Sequence, residues 1–156
     1  RKHFRAGAAK ARQQGRMTAK PRTDVFSPEK RSAVMRAVKS ADTKPEIAVR
    51  KALHALGYRY RLHVKNLPGK PDLVFPKHRA VIFVHGCFWH GHNCKRGRRV
   101  PKTNTDYWME KVARNKARDR KNTAALKKLG WRVITVWECE VKTLDLASLP
   151  IRAPDA

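Results

Sequence analysis

Val81-Ile82-Phe83-Val84-His85-Gly86-Cys87-Phe88-Trp89-His90-Gly91-His92-Asn93-Cys94 is the stretch on which the fold turns. An apolar run that reads as a buried strand leads directly into three histidines, two cysteines and an adjacent Phe-Trp pair. Core, metal chemistry and an aromatic probe meet within these fourteen residues, so the active site is expected here. Ala80 to Val84 is too short for a helix and too apolar for an edge strand, which puts it mid-sheet.

Toward the N-terminus, Pro76-Lys77-His78-Arg79 reads as a short turn. A second strand, Asp72 to Phe75, lies before it, so the two form a hairpin of central strands. Tyr58 to Val64 alternates apolar and basic residues and predicts a half-buried strand, followed by the turn-rich Asn66-Leu67-Pro68-Gly69-Lys70-Pro71. Thr43-Lys44-Pro45-Glu46 has the form of a capping box, with Ile47, Val49, Leu53 and Leu56 following before Gly57 stops the helix. Ser27-Pro28-Glu29 predicts a shorter helix to about Lys39 with Val34, Met35 and Val38 inward. Arg1 to Asp24 carries eight Lys/Arg without apolar periodicity, the composition of a disordered basic arm that either adds phosphate contacts or is simply a solvated tail.

Toward the C-terminus, Thr103 to Thr105 offers caps for a long helix to Leu129, ended by Gly130. Tyr107, Trp108, Met109 and Val112 at its start and Ala125, Leu126 and Leu129 at its end are expected to pack. Arg114, Lys116, Arg118, Arg120 and Lys121 between them have little but Ala117 to bury, so that stretch is expected to be exposed. Trp131 to Trp137 predicts a third core strand reached through the helical crossover, and the final segment offers one helical turn before Pro150. The reading is thus a basic arm (residues 1–26), one domain (27–142) and a short tail (143–156).

The 37 basic against 12 acidic residues give a formal charge of +25, which repels itself unless an anionic partner such as a polyphosphate is present. Three cysteines placed among histidines suggest metal rather than disulfide and a reducing compartment. No apolar run exceeds about five residues, against the roughly 20 of a bilayer span, and the basic N-terminus lacks a signal-peptide core. A soluble, intracellular protein without a membrane partner is expected. The chain begins at Arg1 rather than methionine, so its start is expected to lie upstream.

Cys87, His92 and Cys94 bring soft or borderline ligands close together, and Cys139, at the end of the third strand, can supply a fourth if the sheet carries it there. Four N/S donors with no water suit structural Zn²⁺; the alternative is ordinary buried or free cysteines. Asp72, opening a strand after Pro71, is suited to hold a hard divalent cation such as Mg²⁺ against a phosphate, or is a turn residue. His85 and His90 are not needed for the zinc set, so either is open to act as general base near neutrality or to serve as a substitute ligand. His92 and His90 are close enough to exchange roles. Phe88 and Trp89, being adjacent, cannot both face one core, and an outward aromatic is a wedge for DNA or else packing; Trp108 poses the same question. Glu46 is accounted for by its capping box and is catalytic only if that helix start faces the metal site.

Pro71-Asp72, Phe83 to His90 with His92 and Cys94, and Gly130-Trp131-Arg132-Val133 through Val136-Trp137-Glu138-Cys139 together resemble the very short patch repair (Vsr) DNA mismatch endonuclease family, over roughly residues 27–142. The resemblance implies an α/β, restriction-endonuclease-like core: a central mixed β-sheet flanked by helices, with a structural zinc. It implies an enzyme that nicks one strand of duplex DNA beside a T:G mismatch. Asp72 and the Val84 main-chain carbonyl would hold Mg²⁺, His90 would activate water, His85 would assist at the phosphate or hydrated metal, and Glu46 would lie at the active site. Cys87, His92, Cys94 and Cys139 would bind Zn²⁺, while Phe88, Trp89 and Trp108 would wedge into the duplex. Arg114, Lys116 and Arg118 are expected to meet DNA phosphates.

Two departures from the family pattern stand out: Val84 replaces a threonine, and the histidine run is thinned to His90-Gly91-His92-Asn93. A monomer in the bacterial cytoplasm, at the nucleoid and in company with mismatch-repair proteins, completes the expectation. The rival reading is a zinc-stabilised, non-catalytic DNA-binding or ribosome-associated protein, which accounts for charge and zinc but not for Asp72, His85 and His90 together.

Overall fold

The computed structural model describes residues 26–38 and 40–152. The basic arm at residues 1–25, the expected helix end at Lys39 and residues 153–156 lie outside the described residues. A three-stranded sheet in the order β1-β2-β3 is built from β1 (Leu73–Phe75), β2 (Ala80–His85) and β3 (Arg132–Trp137). β1 and β2 pair antiparallel, joined by a 3-10 turn at Pro76–His78, and β2 pairs parallel with β3, so the sheet is mixed. As a central strand β2 must be apolar on both faces, and Ala80 to Val84 are all buried.

Alternation along β2 divides the core in two. Ala80, Ile82 and Val84 join Leu73, Phe75, Ile134 and Val136 against Val49 and Leu53 of helix α2 (Lys44–Ala55). Val81 and Phe83 turn to the other face with Val74, where Leu126 of helix α3 (Thr105–Lys128) covers them. Truncating a residue such as Ile82, fully enclosed, costs about 2–5 kcal/mol. Helix α1 (Pro28–Ala37), capped by Ser27, buries none of its residues.

Several expectations are corrected. Tyr58 to Val64 is not a strand: Arg61 alone bridges Val74, and Tyr58 and Tyr60 instead set their rings edge-on to Phe75, each 5.8 Å away. The backbone leaves the extended region at His63, where φ is +52°. Val34 and Val38 are exposed rather than inward, because among the described residues no element covers that side of α1. Ile47 and Leu56 on α2, and Tyr107, Met109 and Leu129 on α3, are exposed too, since each helix meets the sheet along a single stripe. Helix α3 starts at Asn104 in a left-handed conformation without a side-chain cap, while the Thr105 hydroxyl donates back to the Pro101 carbonyl at 2.7 Å.

The C-terminal segment closes the first core layer. Ile151 is fully buried there, with Leu144, Leu146 and Leu149 beside it. Arg132 holds the segment by donating to the Pro150 and Ile151 carbonyls at 3.0 and 2.9 Å. The expected helical turn is a 3-10 turn at Leu146–Ser148. Among the described residues no helix is long and apolar enough to cross a membrane.

Candidate active site and metal centre

The start of α2, the start of β1, the end of β2 and the middle of α3 enclose a cleft of about 860 Å³ lined by Glu46, Asp72, Val84, His85 and His90, with Asp119, Asn122 and Glu138. The helix start therefore does face the site, which is the condition set for Glu46. Thr43 Oγ1 accepts from the Glu46 N–H at 3.4 Å, and the Glu46 carboxylate accepts from the Asp42 N–H at 2.9 Å and the Thr43 hydroxyl at 3.0 Å. Glu46 is only 4% exposed, and Arg50 supplies its countercharge at 3.1 Å. Arg50 also pairs with Asp42, holding that carboxyl below its ordinary range.

Asp72 follows the buried Pro71 at the edge of the hairpin. Its Oδ2 accepts from the Val84 N–H at 2.7 Å, which fixes the carboxylate to the central strand. Its other oxygen has no hydrogen-bond donor among the described residues. Burial pushes the carboxyl up to about 6, against the lowering effect of the Val84 N–H, and the Glu46 charge raises it further. Two carboxylates, one with an unengaged oxygen, thus share one cleft, which is the donor chemistry of a hard divalent metal.

The His85 and His90 rings are stacked, with centroids 3.8 Å apart and planes inclined by 4°. His90 Nδ1 donates to Asp119 Oδ2 at 2.6 Å. That bond fixes the tautomer and leaves Nε2 as the basic nitrogen. Burial and the neighbouring His90 push His85 down to about 4, so it is neutral near pH 7. Asp119, set between Arg118 and Arg120, is the site residue that the sequence reading missed. The remaining basic residues of that stretch, Arg114, Lys116, Arg118, Arg120 and Lys121, are exposed as expected; Ala117 is exposed as well.

Parallel register explains how a distant cysteine arrives. His85 pairs with Trp137, so the chain just past each strand brings Cys139 to Cys87. Ligand atoms of Cys87, His92, Cys94 and Cys139 all lie within 4.8 Å of one another. Cys139 Sγ is 3.4 Å from His92 Nδ1, and the Gly97 N–H donates to Cys94 Sγ at 3.3 Å. That bond draws the Cys94 thiol down to about 7, whereas burial pushes Cys87 up to about 12. Three sulfurs and an imidazole at this spacing fit a closed tetrahedral N/S site. His92 lies in this group, and His90 pairs with Asp119. Trp137 stands between the groups, stacked on His92 at 4.2 Å and edge-on to His85 at 5.4 Å.

Phe88, Trp89 and Trp108 meet as one aromatic cluster, with centroids 5.3–5.9 Å apart, and all three are half-buried. Tyr107 edges onto Trp108, and Lys111 lies over Trp89, Tyr107 and Trp108. Asn115 donates to the Trp89 carbonyl at 2.8 Å and ties the cluster to α3.

Residues 23–96 match the family described as DNA mismatch endonuclease Vsr. The chain is 55% identical over 130 residues to the type II nicking enzyme V.XorIIP of Xanthomonas oryzae pv. oryzae, covering 83% of this chain and 93% of that protein. It is 52% identical over 120 residues to the type II nicking enzyme V.NmeAIP of Neisseria meningitidis, covering 77% and 85%. Against the DNA mismatch endonuclease Vsr of Escherichia coli K12 it is 44% identical over 119 residues, 76% of each chain.

Proposed function

Because this chain belongs to the DNA mismatch endonuclease Vsr family, we propose that it nicks one strand of duplex DNA beside a T:G mismatch by Mg²⁺-dependent phosphodiester hydrolysis. The observation that carries this reading is the His90–Asp119 pair, 2.6 Å apart, in one cleft with the half-engaged carboxylate of Asp72. A bound Mg²⁺ would be held by Asp72 and the Val84 main-chain carbonyl and would neutralise charge on the phosphate. His90 Nε2 takes the proton from the attacking water, a contribution of about 10²–10⁴ in rate for a positioned base. Asp119 orients that imidazole and stabilises it once protonated. His85, neutral and stacked on His90, assists at the scissile phosphate, and Glu46 lines the same cleft.

Zn²⁺ would be held by Cys87, His92, Cys94 and Cys139, with no open position, and so would brace the loop rather than react. Phe88, Trp89 and Trp108 address the bases at the mismatch. The exposed cations Arg114, Lys116 and Arg118 on α3 contact phosphates. The enzyme acts as a monomer in the bacterial cytoplasm, on nucleoid DNA alongside mismatch-repair proteins.

The test compares wild type with Asp72→Ala and His90→Ala on duplexes that differ only in one mismatch and its flanking pairs, with and without Mg²⁺. Wild type should nick the T:G duplex only with Mg²⁺, and both variants should be inactive. Nicking retained by both variants, or DNA bound intact without need of Mg²⁺, would point instead to a non-catalytic binding protein.

A further inference from the structure

Between the last cysteine of the metal-binding loop and α3 runs Lys95-Arg96-Gly97-Arg98-Arg99-Val100-Pro101-Lys102, five cations in eight residues. Its first half is a built turn rather than a loose loop. The Gly97 N–H donates to Cys94 Sγ at 3.3 Å, the Arg98 N–H to the Cys94 carbonyl at 2.9 Å and the Arg99 N–H to the Arg96 carbonyl at 3.3 Å. A Cβ on Gly97 would lie 2.0 Å from the His92 carbonyl oxygen, so only glycine fits there. The far end is pinned by the Thr105 hydroxyl on the Pro101 carbonyl at 2.7 Å.

Arg96 is neutralised by Glu138 at 2.8 Å. Lys95, Arg98, Arg99 and Lys102 are exposed, and none lies within ion-pair distance of a carboxylate among the described residues. Four like charges held on a short pinned segment repel one another, and salt relieves this only partly. A single small anion cannot pair with all four, whereas a polymer of regularly spaced phosphates can. The segment also links the two parts of the chain that carry the aromatic cluster, Phe88 and Trp89 before it and Trp108 after it.

We propose that residues 95–102 form a separate phosphate-binding segment that grips the DNA backbone beside the point where the aromatic cluster meets the bases. This rests on duplex DNA being the partner.

The experiment measures binding of the full chain to a T:G duplex and to its fully paired counterpart by fluorescence anisotropy, from about 50 to about 200 mM salt. Replacing Lys95, Arg98, Arg99 and Lys102 together by Gln should weaken binding to both duplexes roughly ten- to hundred-fold. It should flatten the log–log salt slope by about 3–4, at ~0.9 per phosphate lost. Arg98→Lys with Arg99→Lys keeps the charge and should keep the slope. If the fourfold variant does not fold, Lys95→Gln with Lys102→Gln should still flatten the slope by about 2. An unchanged slope in a folded variant overturns the inference. So does a loss confined to the mismatched duplex, which would mean base reading. A flattened slope in a protein that never nicks the T:G duplex would leave this segment standing and remove the proposed activity.

Discussion

A carboxylate 2.6 Å from one ring nitrogen decides what the other can do. In Asp119→Asn the amide can donate to His90 Nδ1, favouring the tautomer whose Nε2 carries the proton and cannot accept another. Single-turnover nicking should fall by about 10²–10⁴ with the circular dichroism spectrum unchanged, and a full rate would remove Asp119 from the site. Asp72 gives a prediction of opposite sign for stability. Its folded value is about 6 against 3.8 for an ordinary Asp, so the native state binds more protons and stability declines as pH rises from about 4 through 6. Asp72→Asn, still able to accept from Val84, should raise the melting temperature of the metal-free protein at pH 8, by about 1–2 kcal/mol of stability, while nicking is lost. Equal melting of the two proteins at pH 8 would contradict this. The grouping of Cys87, His92 and Cys94 was legible in their local spacing, and the place of Asp72 in the cleft in its strand-start position. Asp119 was not, because an acid between two arginines on a helix reads as surface charge, and its partner His90 lies 29 residues away.

At the level of elements, the hairpin, the crossover helix and the capping box could be read because each is a local pattern with one consistent periodicity. Tyr58 to Val64 has the same alternation as a strand, but its tyrosines are used against Phe75 and its partner reaches it only at Arg61. Alternation records which side chains are half-buried, not whether a neighbouring strand supplies hydrogen bonds. Helix α1 shows the converse: caps set its length, while nothing local reveals that none of its residues is buried among the described residues. One join between elements was invisible in sequence. Arg79, in a left-handed conformation with φ +46°, donates to the last turn of α3 at the Leu129 carbonyl, 2.7 Å away, and lies over the Trp131 ring at 5.2 Å. It thereby ties the hairpin turn to the end of the crossover. Arg79→Ala should cost about 1 kcal/mol in denaturant unfolding without changing the nicking rate at saturating enzyme; no change in the unfolding midpoint would show that the contact carries no weight.

For the molecule as a whole, the charge of +25 and the fourfold Cys/His group act in opposite directions. One expands the chain and the other ties β2, its following loop and the end of β3 together. Cys94→Ser should therefore release zinc and lower the melting temperature by several degrees, whereas His90→Ala should leave both unaltered while nicking is lost; paired zinc analysis and thermal melts distinguish the two. Sequence could propose Cys139 as the fourth ligand, but only the β2–β3 register joins it to the others. The same architecture fixes a distance. Trp108 and Asp119 lie on one helix, eleven residues apart, which is close to three full turns and about 16 Å of rise. With the roles proposed for them, helix α3 would be a ruler between the aromatic residues that address the bases and the pair at the scissile phosphate. The place of the nick would then be gauged by a whole number of helical turns, and one residue inserted between Trp108 and Asp119 would swing one end about 100° out of phase with the other.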